Sequence, residues 1–413
     1  MAISPERIVG AELMPIYEKV AKGERLSFDD GMLLYTTPNL TGVGYLANIV
    51  RERMHGDKTY FVRNQHINYT NICNKFCKFC SFYAKKGGPD PYEMSLEEVK
   101  RRLDWHKDIP LTEIHMVGGI NPRLPYQYYM DLVKLVKNHR HELAERRTTN
   151  DETTDSNTAI PQYRNTDEVH VKAFTAVEIV EIARVGKCSI EKALADLIEA
   201  GLDSLPGGGI EVLSDRVHRE LFGKKLNGEE WKEVARAAAK LGLKQYATML
   251  YGHIETNEER VDHLIQLREL QDETGHFLTM TPLCFHPEGT ELEDIPHPTG
   301  DTDLRNIALC RLMLDNFEHI KSFWIMNTVP VTQMAQWYGA DDVDGLVHEY
   351  EITYADDDHG NKSQALTFDN MVRMIQEAGR IPIERDSLYR EIVRSEGVSP
   401  SPRRKLSAVP MAS

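Results

Sequence analysis

From about residue 61 onward the chain repeats one rhythm, a short β-branched or aromatic run followed by a longer amphipathic stretch. This alternation constrains the fold strongly, because parallel strands joined by crossover helices either close into a barrel or open into a doubly wound sheet. The runs read as strands fall at 66–70, 113–117, 169–174, 202–205, 243–250, 277–283, 320–326 and 344–348. Helices are expected between them, over 126–143, 176–200, 229–241, 257–274, 301–317 and 330–337. Another follows Ser95, whose S-x-x-E pattern with Glu98 reads as a capping box ahead of Val99 and Leu103. Eight strands, most followed by a helix, predict an α/β fold: a (β/α)8 barrel of the TIM type over 61–390. Residues 1–60 carry Ile8, Leu13, Ile16 and Val20 at helical spacing and predict a helical N-terminal extension, with a further helical extension at the C-terminal side.

Two segments break the rhythm. Residues 146–167 are rich in Thr, Asn and Asp with almost no apolar side chains, which predicts a flexible insertion. Residues 391–413 read as a poorly ordered tail.

With 49 Lys and Arg against 64 Asp and Glu, the 413 residues carry a formal net charge of −15, which argues against a general binder of nucleic acid or anionic membranes. No apolar run approaches the ~20 residues of a membrane helix. The opening MAISPERIVGAELMP lacks the basic and apolar segments of a secretory signal, so a cytoplasmic enzyme is expected.

Three of the six cysteines, Cys188, Cys284 and Cys310, are scattered, whereas Cys73, Cys77 and Cys80 lie within eight residues, just after the first barrel strand. Their C-x3-C-x2-C spacing puts three soft sulfur ligands on one loop, suited to an iron–sulfur cluster or zinc. Three ligands leave one corner of a cubane open to a small molecule, and loops after barrel strands build the face where barrel active sites occur. The alternative is a structural zinc loop that borrows Cys188 or His66 as its fourth ligand.

Further signals sit at the ends of later strands. Gly118 and Gly119 in HMVGGIN form a tight βα turn. Thr175 and Glu178 form a T-x-x-E capping box. Gly207, Gly208 and Gly209 precede Glu211 and Arg216, and let backbone approach a ligand closely. His286, Glu288 and Thr290 hang on a polar loop after the sixth strand, and Asn327 and Thr328 follow the seventh. No residue among these is singled out as a catalytic acid or base.

The C-x3-C-x2-C motif, with Phe79 just before its last cysteine, resembles the radical S-adenosylmethionine (SAM) superfamily. The resemblance implies that Cys73, Cys77 and Cys80 ligate a 4Fe–4S cluster whose open iron binds SAM. It further implies that Phe79 lies against the adenine, that Gly118 and Gly119 bind the methionine amino group through main chain, and that Thr175, Glu178 and Glu211 contact SAM. The family's usual GGE reads GGI here, with Ile120 in place of the Glu.

The stretches NQHINYTNICNKFCKFCSF, HMVGGINP, VKAFTAVEI, LPGGGIEVLSDRVH and PLCFHPEGTELED are similar to the menaquinone and deazaflavin branch of that superfamily, over about residues 30–390. Within the branch the His286-Pro287-Glu288 loop is most similar to the aminodeoxyfutalosine synthase family. That likeness implies addition of an adenosyl radical to an enolpyruvyl benzoate, with flavodoxin or ferredoxin as electron donor. Arg63, Arg216 and Arg305 then become candidates to clamp substrate carboxylates, each otherwise an ordinary surface arginine, and His286, Asn327 and Thr328 candidates to line the substrate site. Two other readings stay open: a cyclic dehypoxanthine futalosine synthase or FO-synthase-like enzyme that abstracts hydrogen, and a non-catalytic metal- or cluster-binding protein.

Overall fold

The structure, a computed structural model, describes residues 4–86, 89–151, 169–350, 352 and 366–392. Three helices open the chain: α1 (Pro5–Lys22), α2 (Phe28–Thr36) and α3 (Leu40–His55). Helix α2 starts on a reciprocal capping box, in which the Ser27 side chain accepts from the Asp30 amide and Asp30 accepts from the Ser27 amide. Two strands follow, β1 (Lys58–Val62) and β2 (Asn64–Ile67).

From β2 the expected alternation unfolds: α4 (Leu96–Trp105), β3 (Glu113–Met116), α5 (Tyr126–Asp151), β4 (His170–Ala173), α6 (Ala176–Gly186), α7 (Ile190–Ala200) and β5 (Ser204–Leu205). Next come α8 (Asp215–Leu221), α9 (Gly228–Lys240), β6 (Lys244–Tyr251), α10 (Asn257–Thr274), β7 (Phe277–Cys284), α11 (Gly300–Met313) and β8 (His319–Ile320). The chain then runs through α12 (Trp324–Asn327), α13 (Val329–Ala335), β9 (Asp342–Gly345), α14 (Phe368–Glu377) and β10 (Ile381–Glu384).

Strands β2 to β8 form one seven-stranded parallel sheet in chain order, the arrangement right-handed βα crossovers produce. The chain around β9 spans the gap between its two edges. Lys321 bridges to Asp342 on one side and Gln65 to His348 on the other, with Ser322 N donating to Asp342 O at 2.9 Å and His66 N to His348 O at 2.8 Å. The sheet is thus curled into a parallel α/β barrel. Its eighth stave also belongs to a second, three-stranded sheet ordered β10-β1-β9.

The N-terminal helices pack on the outside of the last barrel helices. Gly44 of α3 sits so close to Tyr338 that an added Cβ would lie 2.5 Å from its ring, and Arg25 pairs with Asp272 and Asp315 at 2.6 and 2.9 Å.

Several boundaries differ from expectation. The run 320–326 stops as a strand at Ile320, because the Trp324 indole turns to donate to Gly345 O at 2.8 Å and the chain winds into α12. The helix expected over 176–200 breaks at Lys187, which takes a left-handed φ of 50°, and Ser189 caps a new helix. At Ser95 the side chain accepts from Glu98 N, giving the helix its start. Strands β1 and β10 were not foreseen, so neither extension is purely helical. Of the segment 146–167, residues up to Asp151 end helix α5; its remainder, and the tail beyond 392, lie outside the described residues.

Candidate active site

A cavity of about 270 Å3 fills the upper barrel. In a parallel barrel alternate residues of each strand point inward, and position along a strand is depth, from floor to C-terminal rim. Three levels follow from the lining residues and the strand register. His66, His115 and Lys172 share one register row and, with Tyr246 and Lys321, form the floor. Above them Val117, the register partners Thr248 and Thr281, Leu250 and Leu283, and Phe323 make a largely apolar belt. At the rim lie Phe79, Cys80, Thr175, Gly207, Gly208, Glu211, Phe285, His286 and Met326.

The cysteine loop is held between neighbouring strand ends. Asn74 N donates to Ile120 O at 3.0 Å, Lys78 N to Leu221 O at 3.0 Å, and Glu291 N to Lys78 O at 2.9 Å. Gly119 explains its own identity, since a Cβ there would stand 2.4 Å from Ile72 O. The same crowding puts Gly118 against the Tyr69 ring.

Burial pushes the Cys77 thiol up to about 12, partly offset by the nearby Lys225, and burial raises Cys80 as well. A positive centre bound to these sulfurs therefore has to displace protons, as soft-metal thiolate sites do. The donor set fits a cluster with an open corner, because the remaining cysteines are engaged elsewhere. Cys188 Sγ contacts Tyr126 Oη at 4.0 Å and Ala183 O at 3.8 Å, Cys284 Sγ lies 3.8 Å from Phe285 O, and Cys310 is buried in α11. His66, the other residue considered as a borrowed zinc ligand, belongs to the cavity floor.

Glu178 turns out to be a tie within the barrel rim. It is buried and accepts from Tyr69 Oη at 2.6 Å, Gly118 N at 3.0 Å, Thr175 N at 2.7 Å and Thr175 Oγ1 at 2.8 Å. It thereby links the ends of three adjacent strands and does not line the cavity, whereas Thr175 does. The full capping box expected at Thr175 is present. Gly119 N donates to Thr70 O at 2.7 Å, so the amides of the glycine pair are spent on protein, and what the pair can present to an amino group is carbonyl oxygen.

Glu211 lines the rim with a left-handed φ of 58° and is ion-paired with Lys225. The Lys225 ammonium lies 5.1 Å from the Phe79 ring centroid and 4.8 Å from that of Phe222. Burial works against its charge, but Glu211 and the Cys77 thiol outweigh this and hold its pKa above the usual lysine value. Sequence reasoning missed Lys225, whose signal was only a basic pair after α8.

His286 reaches the cavity, with Nε2 3.0 Å from Met326 O and Nδ1 3.1 Å from His297 Nε2. Burial, then His297, lowers its pKa to about 4, leaving a neutral imidazole.

The other substrate candidates are placed elsewhere. Arg63 pairs with Glu384 at 3.2 Å and stacks 4.4 Å over Phe368. Arg216 forks onto Glu259 at 3.0 and 2.6 Å. Arg305 donates to Leu34 O and Thr37 O at 2.8 and 3.0 Å, closing the C-terminal end of α2. Asn327 donates to Tyr251 Oη at 2.8 Å behind the cavity wall, and Thr328 is exposed at the start of α13. Arginine was a reasonable choice for a carboxylate clamp, but these three are consumed by structural partners. Among the described residues, the charged groups that face the cavity are Lys172, Lys321, Asp344 and Glu211. Their signal in the sequence was a charge at an inward position of a strand or just beyond its end, as in VHVKAF and IKSFW.

Comparison with known proteins adds to this geometry. Residues 67–267 match the family model described as the radical SAM superfamily, and 274–396 match that of the CofH/MqnC C-terminal region. The chain is 42% identical over 385 residues to aminodeoxyfutalosine synthase of Thermus thermophilus, covering 92% of this chain and 96% of the relative. It is 38% identical over 404 residues to the enzyme of that name from Streptomyces coelicolor, covering 95% and 97%. To cyclic dehypoxanthine futalosine synthase of Halalkalibacterium halodurans it is 32% identical over 381 residues, covering 92% and 95%. In fold it is similar to the crystal structure of methylornithine synthase, with TM-score 0.66 at 17% identity over 89% of this chain and 97% of that one. Among the described residues, no helix is long and apolar enough to cross a membrane.

Proposed function

Because this chain belongs to the radical SAM superfamily, we propose that it is an adenosyl-adding synthase of the aminodeoxyfutalosine type. Its substrates are then SAM and 3-(1-carboxyvinyloxy)benzoate, and its products 6-amino-6-deoxyfutalosine, methionine and carbon dioxide, the rearranged adduct giving up its carboxylate as CO2 together with a proton and the one electron that SAM cleavage consumed, so that the reaction is redox-neutral. The observation that carries this reading is the near full-length likeness to two aminodeoxyfutalosine synthases, closer than the likeness to the cyclase.

Cys73, Cys77 and Cys80 would hold the 4Fe–4S cluster, which when bound and reduced supplies the electron that makes a 5′-deoxyadenosyl radical from SAM. The chain's own residues do the positioning. The glycine pair offers carbonyl oxygen to the methionine amino group, Phe79 and Thr175 flank the nucleoside, and Glu211, held by Lys225, faces the ribose hydroxyls. The apolar belt shields the reacting centre from water and holds the substrate's ring in place, so that the carbon radical meets the enol-ether double bond before it meets another partner. Flavodoxin or ferredoxin is the proposed electron donor, and the cytoplasm the proposed location.

The test is mass spectrometry of products from reconstituted, reduced protein given SAM labelled with carbon-13 in its ribose. Label in a product joined to the aromatic unit supports the synthase. Free labelled 5′-deoxyadenosine formed in step with substrate turnover would instead assign hydrogen abstraction of the cyclase or FO-synthase kind.

A further inference from the structure

The floor of the cavity carries more polar capacity than the protein itself uses. Neither ring nitrogen of His66 has a hydrogen-bond partner among the described residues, and His115 Nε2 has none either. His66 is 2% exposed, so these are buried orphans, which are rare in native proteins and destabilising unless something meets them. The two rings lie 4.6 Å apart, centroid to centroid, and both line the cavity.

Beside them are two ammonium groups. Lys172 Nζ is 2.6 Å from Glu113 Oε1, and Lys321 Nζ is 2.7 Å from Asp344 Oδ1. Each ammonium has three N–H donors, more than one carboxylate oxygen can take. Both stand over the Tyr246 ring, at 4.5 and 5.6 Å from its centroid. Burial, then Lys172, holds His115 neutral, and burial likewise lowers His66 to about 4, so each ring presents one N–H.

We propose that His66, His115, Lys172 and Lys321 form a carboxylate-binding subsite for the ring carboxylate of an aromatic acid, so that the substrate stands upright in the barrel. The inference rests on the functional reading above and adds the orientation. The subsite is at the bottom, the apolar belt of Val117, Leu250, Leu283 and Phe323 accommodates an aromatic ring above it, and the cysteine loop is at the top. A meta-substituted benzoate anchored by its ring carboxylate directs its enol ether upward, toward the end where the adenosyl group is delivered. The reverse orientation would put the reacting double bond on the polar floor, away from that group. Three of the anchoring groups, His66, His115 and Lys172, are strand residues and Lys321 directly follows β8, and groups on strands hold a ligand more precisely than groups on loops.

The test uses holoenzyme with its cluster oxidised and SAM present, so that nothing turns over, titrated calorimetrically with 3-(1-carboxyvinyloxy)benzoate and with 2-phenoxyacrylate, which lacks the ring carboxylate. The wild-type protein is expected to bind the benzoate tighter by about 30-fold or more, the loss typical of removing one partner from a buried charged contact. His66→Phe and Lys321→Gln should each shrink that ratio to about threefold, chiefly by weakening the benzoate, with His66→Gln restoring part of it. Equal affinities in the wild type, which need no variant to be measured, overturn the proposal, as does a ratio unchanged in every variant that folds. If the reduced wild-type enzyme converts the benzoate yet shows no such ratio, only the subsite fails. If it neither binds nor converts the benzoate, the functional reading fails and takes the subsite with it.

Discussion

The Tyr69 hydroxyl donates to the buried carboxylate of Glu178 at 2.6 Å, tying the end of β2 to the start of α6 across the glycine turn that follows β3. Burial raises the Glu178 pKa above the usual carboxylate range, and its hydrogen bonds from Tyr69, Thr175 and Gly118 pull it back only in part. An acid with a raised folded-state pKa gives stability that is present in acid and lost as pH rises through that pKa. Tyr69→Phe removes a donor that favours the charged form and should cost about 1–3 kcal/mol near neutrality. In urea unfolding, its deficit against wild type should widen from mildly acidic to mildly alkaline buffer; a deficit independent of pH would refute this account.

Gly119 is where the cysteine loop meets the second barrel turn, with Ile72 O 2.4 Å from the position of an added Cβ. Gly119→Ala must push the loop that carries the three cysteines, and overpacking of this kind costs about 1–3 kcal/mol. The expected outcome is a folded protein that takes up much less iron and sulfide on anaerobic reconstitution. Full cluster loading in the alanine variant would show that the loop tolerates the shift.

Arg305 is committed to Leu34 O and Thr37 O at the end of α2. Arg305→Met should lower stability by about 2–4 kcal/mol, because buried carbonyls lose charged donors, while KM for the aromatic substrate stays within about twofold. A tenfold rise in KM at unchanged stability would return Arg305 to the substrate site.

Glu255 supplies an acid-sensitive element. Burial opposes its charge, but His253, Arg260 and the Gly252 amide outweigh this and hold its pKa at about 2. A depressed carboxylate stabilises the fold above its unfolded value, and that stability is lost as pH falls through the folded one. Wild type should therefore lose about 3 kcal/mol relative to Glu255→Gln as pH falls from roughly 5 to 2, with Glu255→Gln the less stable protein at neutrality. Parallel stability curves for the two proteins over that window would contradict the assignment.

The barrel was readable in the sequence because the period-2 strands and capped helices are local signals. Ser95 and Thr175 mark helix starts, and VHVKAF and LKQYATML mark strands. The cysteine loop was readable for the same reason, since its spacing is contained in eight residues. Strands β1 and β10 escaped because KTYFV and IPIE are short, and only their pairing with each other and with β9 makes them strands. The cavity's polar groups were hidden differently. Whether a lysine such as Lys172 faces solvent or the barrel axis depends on register against β3 and β5, which no local pattern states. Arg63, Arg216 and Arg305 looked available because their partners Glu384, Glu259 and Leu34 are about 40 to 320 residues away in sequence.

The closing strand β9 has a bearing on how the molecule is made. Cys73, Cys77 and Cys80 follow the first strand of the seven-stranded sheet, whereas Asp342, Asp344 and Arg385, which complete the underside of the chamber, come after all seven of its strands. Without β9, strands β2 to β8 would be an open trough, with Lys172 still beside Glu113 but Lys321 deprived of Asp344. The vessel in which a radical must be confined is therefore sealed by a strand that follows all seven others in the sequence, and a chain cut short before β9 would carry the metal-binding loop without the walls that close the chamber.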